Sequence, residues 1–326
     1  MNSDRYKKMK YRRLGKSGLK LPLISLGLWY NFGEVDEYET AKEIVLTAFN
    51  NGITHFDLAN NYGPPAGSAE ITFGKILKEE LLDYRDELII STKAGYGMWP
   101  GPYGDGGSRK YLISSLNASL KRLGLDYVDI FYHHRPDSET DLYETMLALS
   151  DIVRQGKALY VGLSNYNSEQ LKKAYVHLKE LNVPYVITQP SYSMLNRWIE
   201  HDDLLNTQSE IGGGTIGFSV LNQGLLTEKY IGEIPNDSRA IKKHCQFLNK
   251  ENVTEEMVQK LISLNEIAKR RNQKLSQMAI SWALRNELMT SVLMGISKKS
   301  QLLENIEAIH NLEFSDKEIK EIESVL

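Results

Sequence analysis

The stretch HFDLANNYG, residues 55–63, begins as an apolar β-like run, takes in an aspartate, and breaks into two asparagines, a tyrosine and a glycine. A lone carboxylate in a strand is costly to bury, so Asp57 requires a partner. The same pattern, an apolar run that turns polar at its end, recurs along the chain. Candidate strands are SLGLW (25–29), THFDLA (54–59), LIISTKA (88–94), VDIFYHH (128–134), ALYVGLS (158–164), YVITQPS (185–191), TIGFSV (215–220) and SVLMGI (291–296), after a hairpin at RLGKSGLKLPLI.

Helix-period segments lie between them. Ala41, Ile44, Val45, Ala48 and Phe49 fall on one helical face and end at Asn51-Gly52. Leu112, Leu116, Leu120 and Leu123 close at Gly124, and Leu142, Met146, Leu149 and Val153 close at Gly156. Ser168 is a plausible N-cap for the stripe Leu171, Ala174, Tyr175, Leu178. Near-continuous apolar strands alternating with amphipathic helices imply a parallel sheet covered on its outer face. Eight such units predict an α/β fold, a closed (β/α)8 TIM barrel. It carries a glycine- and aromatic-rich loop (95–107) after strand three and a partly helical extension (222–275) after strand seven. No linker or composition shift marks a boundary, so residues 1–10 read as a basic solvated tail and 11–326 as one barrel domain.

With 326 residues, 41% hydrophobic and 25% charged, the chain has the composition of a soluble globular protein. A formal charge of −3 gives no reason to expect nucleic acid or an anionic membrane as partner. No window approaches the ~20 apolar residues of a membrane span. The single cysteine, Cys245, excludes an intramolecular disulfide and fits a reducing cytoplasm.

In a barrel, chemistry belongs at the C-terminal strand ends. Those ends carry Trp29, Asp57 with Tyr62, Lys93, His133-His134-Arg135, Ser164-Asn165, Gln189, Phe218-Ser219 and Gly295-Ser297. Asp57 and Lys93 sit late on consecutive strands and read either as a structural ion pair or as part of a catalytic group. A lysine ammonium beside a tyrosine favours the phenolate and lowers its pKa, while a carboxylate holds the lysine in place. Asp, Tyr, Lys and His together make an acid able to protonate a carbonyl oxygen while hydride reaches the carbon. His133 shares strand parity with Asp129 and Phe131, and His134 with Ile130 and Tyr132, so parity leaves both histidines open. His55, His177, His201, His244 and His310 lack metal-ligand spacing and read as structural or exposed; no metal is expected. GGGTIG (212–217) matches a dinucleotide fingerprint literally but runs into a strand instead of opening a helix, which rejects it. GISKKSQLLENI (295–306) has a helix starting near Ser300 or Gln301 with Lys298 and Lys299 just before it, which reads either as a solvated lysine pair or, favoured after strand eight of a barrel, as an anion site.

Taken together, FDLANNYG, ISTKAG, FYHHR, GLSNY, ITQPSYSMLNR and MGISKKSQLLENI resemble the signature segments of the aldo-keto reductase family, and the resemblance runs from about Tyr11 to Leu326. NNYGPPAGSAE, TKAGYGMWPGPYGDGGSRKYL and QPSYSMLNRW resemble a bacterial group within it that reduces L-glyceraldehyde 3-phosphate, itself similar to potassium-channel β-subunits. The resemblance implies a catalytic tetrad of Asp57, Tyr62, Lys93 and His134, with Tyr62 the acid. It implies that Ser164, Asn165 and Gln189 bind a nicotinamide carboxamide and that Phe218 stacks on the ring. Ser219, Leu221, Gly224, Lys229 and Arg239 would follow the pyrophosphate and adenosine. Ser297, Lys298, Gln301, Glu304 and Asn305 would hold the adenosine phosphate, and Trp29 and Gly295 also count among the cofactor-binding residues. Lys298 and Arg239 favour NADPH over NADH. Val220, Glu228 and Ile296 depart from the pattern; Glu228 puts a carboxylate near the supposed pyrophosphate path. The chain also stops soon after its last helix, short of that group's tail.

The implied activity is NADPH-dependent reduction of a small aldehyde, of the L-glyceraldehyde 3-phosphate or methylglyoxal type. Trp29, Tyr96, Met98 and Trp99 would wall the pocket, and Arg135 or Arg109 would take a substrate phosphate. The implied assembly is a homo-oligomer, tetramer or larger. Two alternatives stand beside it: a Schiff-base aldolase on Lys93, which needs a neutral amine that Asp57 opposes, and an NADPH-binding redox-sensing subunit with slow turnover.

Overall fold

Alternation of β-branched and aromatic residues produces eight parallel strands that close on themselves in the computed structural model, which describes residues 3–231 and 253–326. A hairpin of β1 (Tyr11–Arg13) and β2 (Lys20–Pro22) precedes them. The barrel strands are β3 (Ile24–Gly27), β4 (His55–Asp57), β5 (Ile89–Ala94), β6 (Val128–His133), β7 (Ala158–Ser164), β8 (Tyr185–Gln189), β9 (Gly214–Gly217) and β10 (Met289–Gly295). Each pairs with its neighbour and β10 closes on β3, giving the expected (β/α)8 barrel. Register aligns the strand ends on one rim: Gly27 opposite Asp57 and Gly295, Ala94 opposite His133, Ser164 opposite Gln189.

Each strand has two buried faces. Leu26, Phe56, Ile90 and Phe131 join the outer core, against the helices. The alternate residues face inward, where Ile130, Tyr132, Ile187, Ile216 and Leu293 pack together above Leu14 and Leu21 of the hairpin. On β10, β3, β4 and β5 one inward layer is instead polar: Ser291, Ser25, His55 and Ser91, all fully buried.

The helices carry the expected stripes. Tyr38–Asn50 buries Ala41, Ile44, Val45, Ala48 and Phe49. Arg109–Leu123 is capped by Ser108 and stopped by Gly124 at φ +69°. Leu142–Arg154 buries Met146 and Leu149, and Glu255–Arg270, in the extension after β9, buries Leu261, Leu264 and Ile267. Two expectations are corrected. Asn167, not Ser168, caps Ser168–Glu180, because its side chain accepts from Gln170 N while Gln170 answers in a capping box. The basic N-terminal segment is not a free tail: Arg5 is buried, ion-pairs with Glu87 and lies 4.6 Å over the Phe49 ring, and Met9 enters the outer core.

Candidate active site

The rim of the barrel gathers Asp57, Lys93, Tyr62 and His134. Lys93 is fully buried and ion-paired to Asp57. Its ammonium also donates to Leu58 O at 2.6 Å and to Tyr62 Oη at 3.5 Å. Three acceptors surround three N–H donors, an arrangement that suits the charged form. Burial lowers the Lys93 pKa and the Asp57 charge opposes that shift. With every donor engaged and no exposed surface, Lys93 offers no approach to a carbonyl carbon, which argues against the Schiff-base alternative.

Tyr62 leaves the strand end, turns over the rim and stays partly open to the cleft. Lys93 does not bring its phenol down as expected. Burial pushes the pKa well up, and Asp57 and Tyr96 add to it. The desolvation of a phenolate outweighs a lysine whose charge is shared with Asp57. The consequence is a phenol that stays protonated at neutral pH.

Register resolves the histidine pair. His133 points to the outer side, where Nδ1 meets Tyr166 Oη at 2.6 Å. His134 faces inward with Ile130 and Tyr132, its ring edge-on to Tyr62 at 5.8 Å and to Tyr96 at 4.7 Å between centroids. Burial, Lys93, His133 and Arg135 all hold His134 well below the usual histidine range, so it is neutral. Gly95 (φ +156°) is the residue that lets the chain pass: a Cβ there would lie 3.0 Å from His134 Cβ.

Both 54% identical over 324 residues, L-glyceraldehyde 3-phosphate reductases of Escherichia coli strain K12 and strain O157:H7 are similar to this chain across 99% of its length and 94% of theirs. The profile of the aldo/keto reductase family matches residues 23–326. The chain belongs to the aldo/keto reductase family. It is accordingly an oxidoreductase, built on the barrel described above.

In this aldo/keto reductase a cleft of about 210 Å³ runs from Asp57 and Tyr62 across the rim to the start of the helix Lys299–Ile306. Trp29, Gln189, Phe218, Ser219, Leu221, Gly224, Lys229, Gly295, Ser297 and Gln301 line it. Ser164, Asn165, Lys298, Glu304 and Asn305 do not, and Arg239 lies outside the described residues. Ser164 and Asn165 are nevertheless wired to the tetrad. Ser164 Oγ donates to Gln189 O at 2.8 Å and Asn165 Nδ2 donates to His134 O at 3.1 Å. Gln189 Nε2 in turn donates to Asp57 Oδ1 at 3.3 Å. Ser219 (φ +57°) and Asn165 (φ +61°) hold left-handed backbone, a strain that clusters at functional rims.

At the far end of the cleft, Lys298 is the N-cap and Lys299 the first helical residue, one or two positions earlier than expected. Lys299 ion-pairs with Glu43 and Glu304 with Lys274, so Lys298 is the lysine left for an anion. Asn305 is buried with its Nδ2 lacking a protein partner. Glu228 does not line the cleft; its charge acts on Lys269 and Lys274.

Two substrate-side expectations change. Arg109 is ion-paired to Asp151 on the neighbouring helix and does not line the cleft. Arg135 lies 5.3 Å over the Tyr96 ring but pairs with Asp105 at 2.9 Å. Of the expected wall, Trp29 lines the cleft and Tyr96 abuts His134, while Trp99 rests 5.2 Å from Tyr111. Asn60 sits in the turn between the end of β4 and Tyr62. It is fully buried and donates to Tyr111 Oη at 3.0 Å, and that hydroxyl donates to Tyr96 O. Asn60 therefore anchors the 95–107 loop at the residue that touches His134. No His, Cys, Asp or Glu cluster suited to a metal occurs among the described residues, and no described helix is long and apolar enough to cross a membrane.

Proposed function

We propose that this aldo/keto reductase reduces small aldehydes with NADPH, of the L-glyceraldehyde 3-phosphate or methylglyoxal type, with Tyr62 as the proton donor. The observation that carries the reading is the Lys93 ammonium, locked by Asp57 and donating to Tyr62 Oη at the head of the cleft. Because Tyr62 oxygen accepts from Lys93, its own proton is free for a substrate carbonyl oxygen. The raised phenol pKa keeps that proton in place until charge develops on the substrate. Lys93 then stabilises the phenolate left behind. Neutral His134 orients the carbonyl oxygen as a hydrogen-bond donor.

The cleft and the residues bordering it fit a dinucleotide. Gln189 lines the cleft, bonded to Ser164 beside Asn165, as a polar edge suited to a carboxamide; Phe218 gives a flat wall; and next to the lining residues Ser297 and Gln301, Lys298 with orphaned Asn305 suits the adenosine phosphate. Bound there, NADPH would supply the hydride. The names of the two bacterial relatives support the substrate class. A homo-oligomeric assembly belongs to the same reading and is checked by sedimentation.

The test follows NADPH absorbance with an aldehyde panel that includes methylglyoxal and glyceraldehyde 3-phosphate. Tyr62→Phe should lower kcat by about 10²- to 10⁴-fold while NADPH affinity is kept. A fully active Tyr62→Phe, or tight NADPH retention with no turnover across the panel, overturns the reading.

A further inference from the structure

Below the ion pair, the barrel interior holds a polar file that the tetrad does not use. Ser291, Ser25, His55 and Ser91 lie on the neighbouring strands β10, β3, β4 and β5 and are fully buried. Ser291 Oγ is 2.8 Å from Ser25 Oγ, and Ser25 Oγ is 3.0 Å from His55 Nδ1. His55 Nε2 is 3.0 Å from Ser91 Oγ, which donates to Asp57 Oδ1 at 2.6 Å. His55 read from sequence as a structural or exposed histidine; it is a member of a continuous chain that ends on the tetrad.

The direction of every proton in that chain follows from Asp57. Paired with the Lys93 ammonium, Asp57 is a carboxylate and can only accept. Ser91 therefore directs its single proton to Asp57, and the proton between Ser91 and His55 must come from Nε2. Burial pushes the His55 pKa down to about 4, so the ring is neutral and carries one N–H. Nδ1 is then an acceptor, takes its proton from Ser25, and leaves Ser25 to accept from Ser291, whose hydroxyl also lies 3.3 Å from Leu23 O. From Ser25 through His55 to Ser91 the dipoles present their positive ends toward Asp57, and Ser291 at 2.8 Å from Ser25 stands at the far end of the file.

We propose that His55 is a positioning residue that, through Ser91, holds the positive end of this four-membered chain on Asp57 and keeps Asp57 Oδ2 turned to Lys93. The inference rests on the reading of Tyr62 as proton donor. Asp57 and Tyr96 raise the Tyr62 phenol, and Lys93 and neutral His134 face it from the other strands. Asp57 and Lys93 are the charged groups that act on His55 itself. A chain of positive ends on Asp57 offsets the push of its charge on the phenol, so charge develops on Tyr62 at lower cost.

The test uses the enzyme with NADP+ and an alcohol, where Tyr62 must act as base and the rate rises with pH. Ser91→Ala and His55→Phe should lower kcat about tenfold, the size of one lost hydrogen bond to a charged group. They should move the basic limb of the pH profile upward while NADPH affinity is unchanged. His55→Gln, whose amide donates to Ser91 and accepts from Ser25, should restore both. Ser91→Ala removes one oxygen and keeps the imidazole, so the test does not depend on His55→Phe folding. Wild-type kcat and pH limb in Ser91→Ala, beside an inactive Tyr62→Phe, overturn this inference alone. A loss of thermal stability with the limb unmoved also overturns it. Full activity in Tyr62→Phe overturns the reading beneath it.

Discussion

Replacing Lys93 by methionine separates the structural role of the buried ion pair from its chemical one. The substitution keeps the length of the side chain and removes the ammonium, with its bonds to Asp57, Leu58 O and Tyr62 Oη. Asp57 keeps Ser91 at 2.6 Å and Gln189 at 3.3 Å but loses its only counter-charge among the described residues, and with 2% exposure water cannot replace it. Truncating one partner of such a pair costs about 3–5 kcal/mol, because the other charge is left buried and uncompensated. Measured against a domain stability of about 5–15 kcal/mol, this is a large fraction. Urea unfolding of the wild type, Lys93→Met, Asp57→Asn and the double variant measures it. The amide introduced by Asp57→Asn is neutral and can still accept from Ser91, so the double variant should regain all but about 1–2 kcal/mol. Turnover should be lost in the single and the double Lys93 variants alike, since neither has a cation for the developing phenolate. Wild-type stability in Lys93→Met, or strictly additive losses in the double variant, would refute the argument that Lys93 is charged and paired.

The buried histidines should make stability fall in mild acid. Burial lowers His55 and His133 from 6.5 to about 4 and holds His134 well below the usual histidine range, so the unfolded chain binds protons first as pH drops. Their contribution is complete above about 6.5 and is lost on the way down toward about 4, at up to about 1.4 kcal/mol per pH unit for each histidine. Urea midpoints between about pH 7 and 5 read this directly, and a flat profile would contradict neutral burial. Tyr111→Phe should raise KM for the aldehyde with NADPH affinity unchanged, because Tyr96 O loses its donor and the 95–107 loop loses its anchor next to His134. An unchanged KM would show that Tyr96 does not shape the substrate side.

The barrel was legible because each unit announces itself twice, as an apolar strand and as a helical stripe with its own stop. The boundaries of β7 are those expected, Ala158–Ser164, and the stripe Ala41 to Phe49 is the buried face of its helix. That Asp57, Lys93, Tyr62 and His134 meet at one rim was legible for a related reason: polar residues at the ends of apolar strands stand out against their neighbours. What could not be read was orientation across a strand buried on both sides. On β6, Phe131 meets the helices while Ile130 and Tyr132 fill the interior, so hydrophobicity carries no sign for His133 against His134. Arg109 failed for the same reason on a helix. It follows a rim loop in sequence, but its helical position turns it to Asp151. Asn60 looked like a turn residue because its partner, Tyr111, lies 51 positions away.

The interior file was present in the sequence as a spacing that went unread. His55 precedes Asp57 by two residues and Ser91 precedes Lys93 by two, and residues two apart on a strand share a face. Once Asp57 and Lys93 are taken to face inward, His55 and Ser91 must do so as well, one layer deeper. A polar layer in a barrel interior is tolerable only when it is fully paired, since a half-satisfied network costs more than an apolar core. The chain from Ser291 to Asp57 meets that requirement, with Leu23 O as a further acceptor for Ser291. It works in only one direction, because a carboxylate accepts and cannot donate. The polar part of the interior is thus organised by the same charge that fixes Lys93, while Ile130, Ile187 and Ile216 on β6, β8 and β9 need only to fill space.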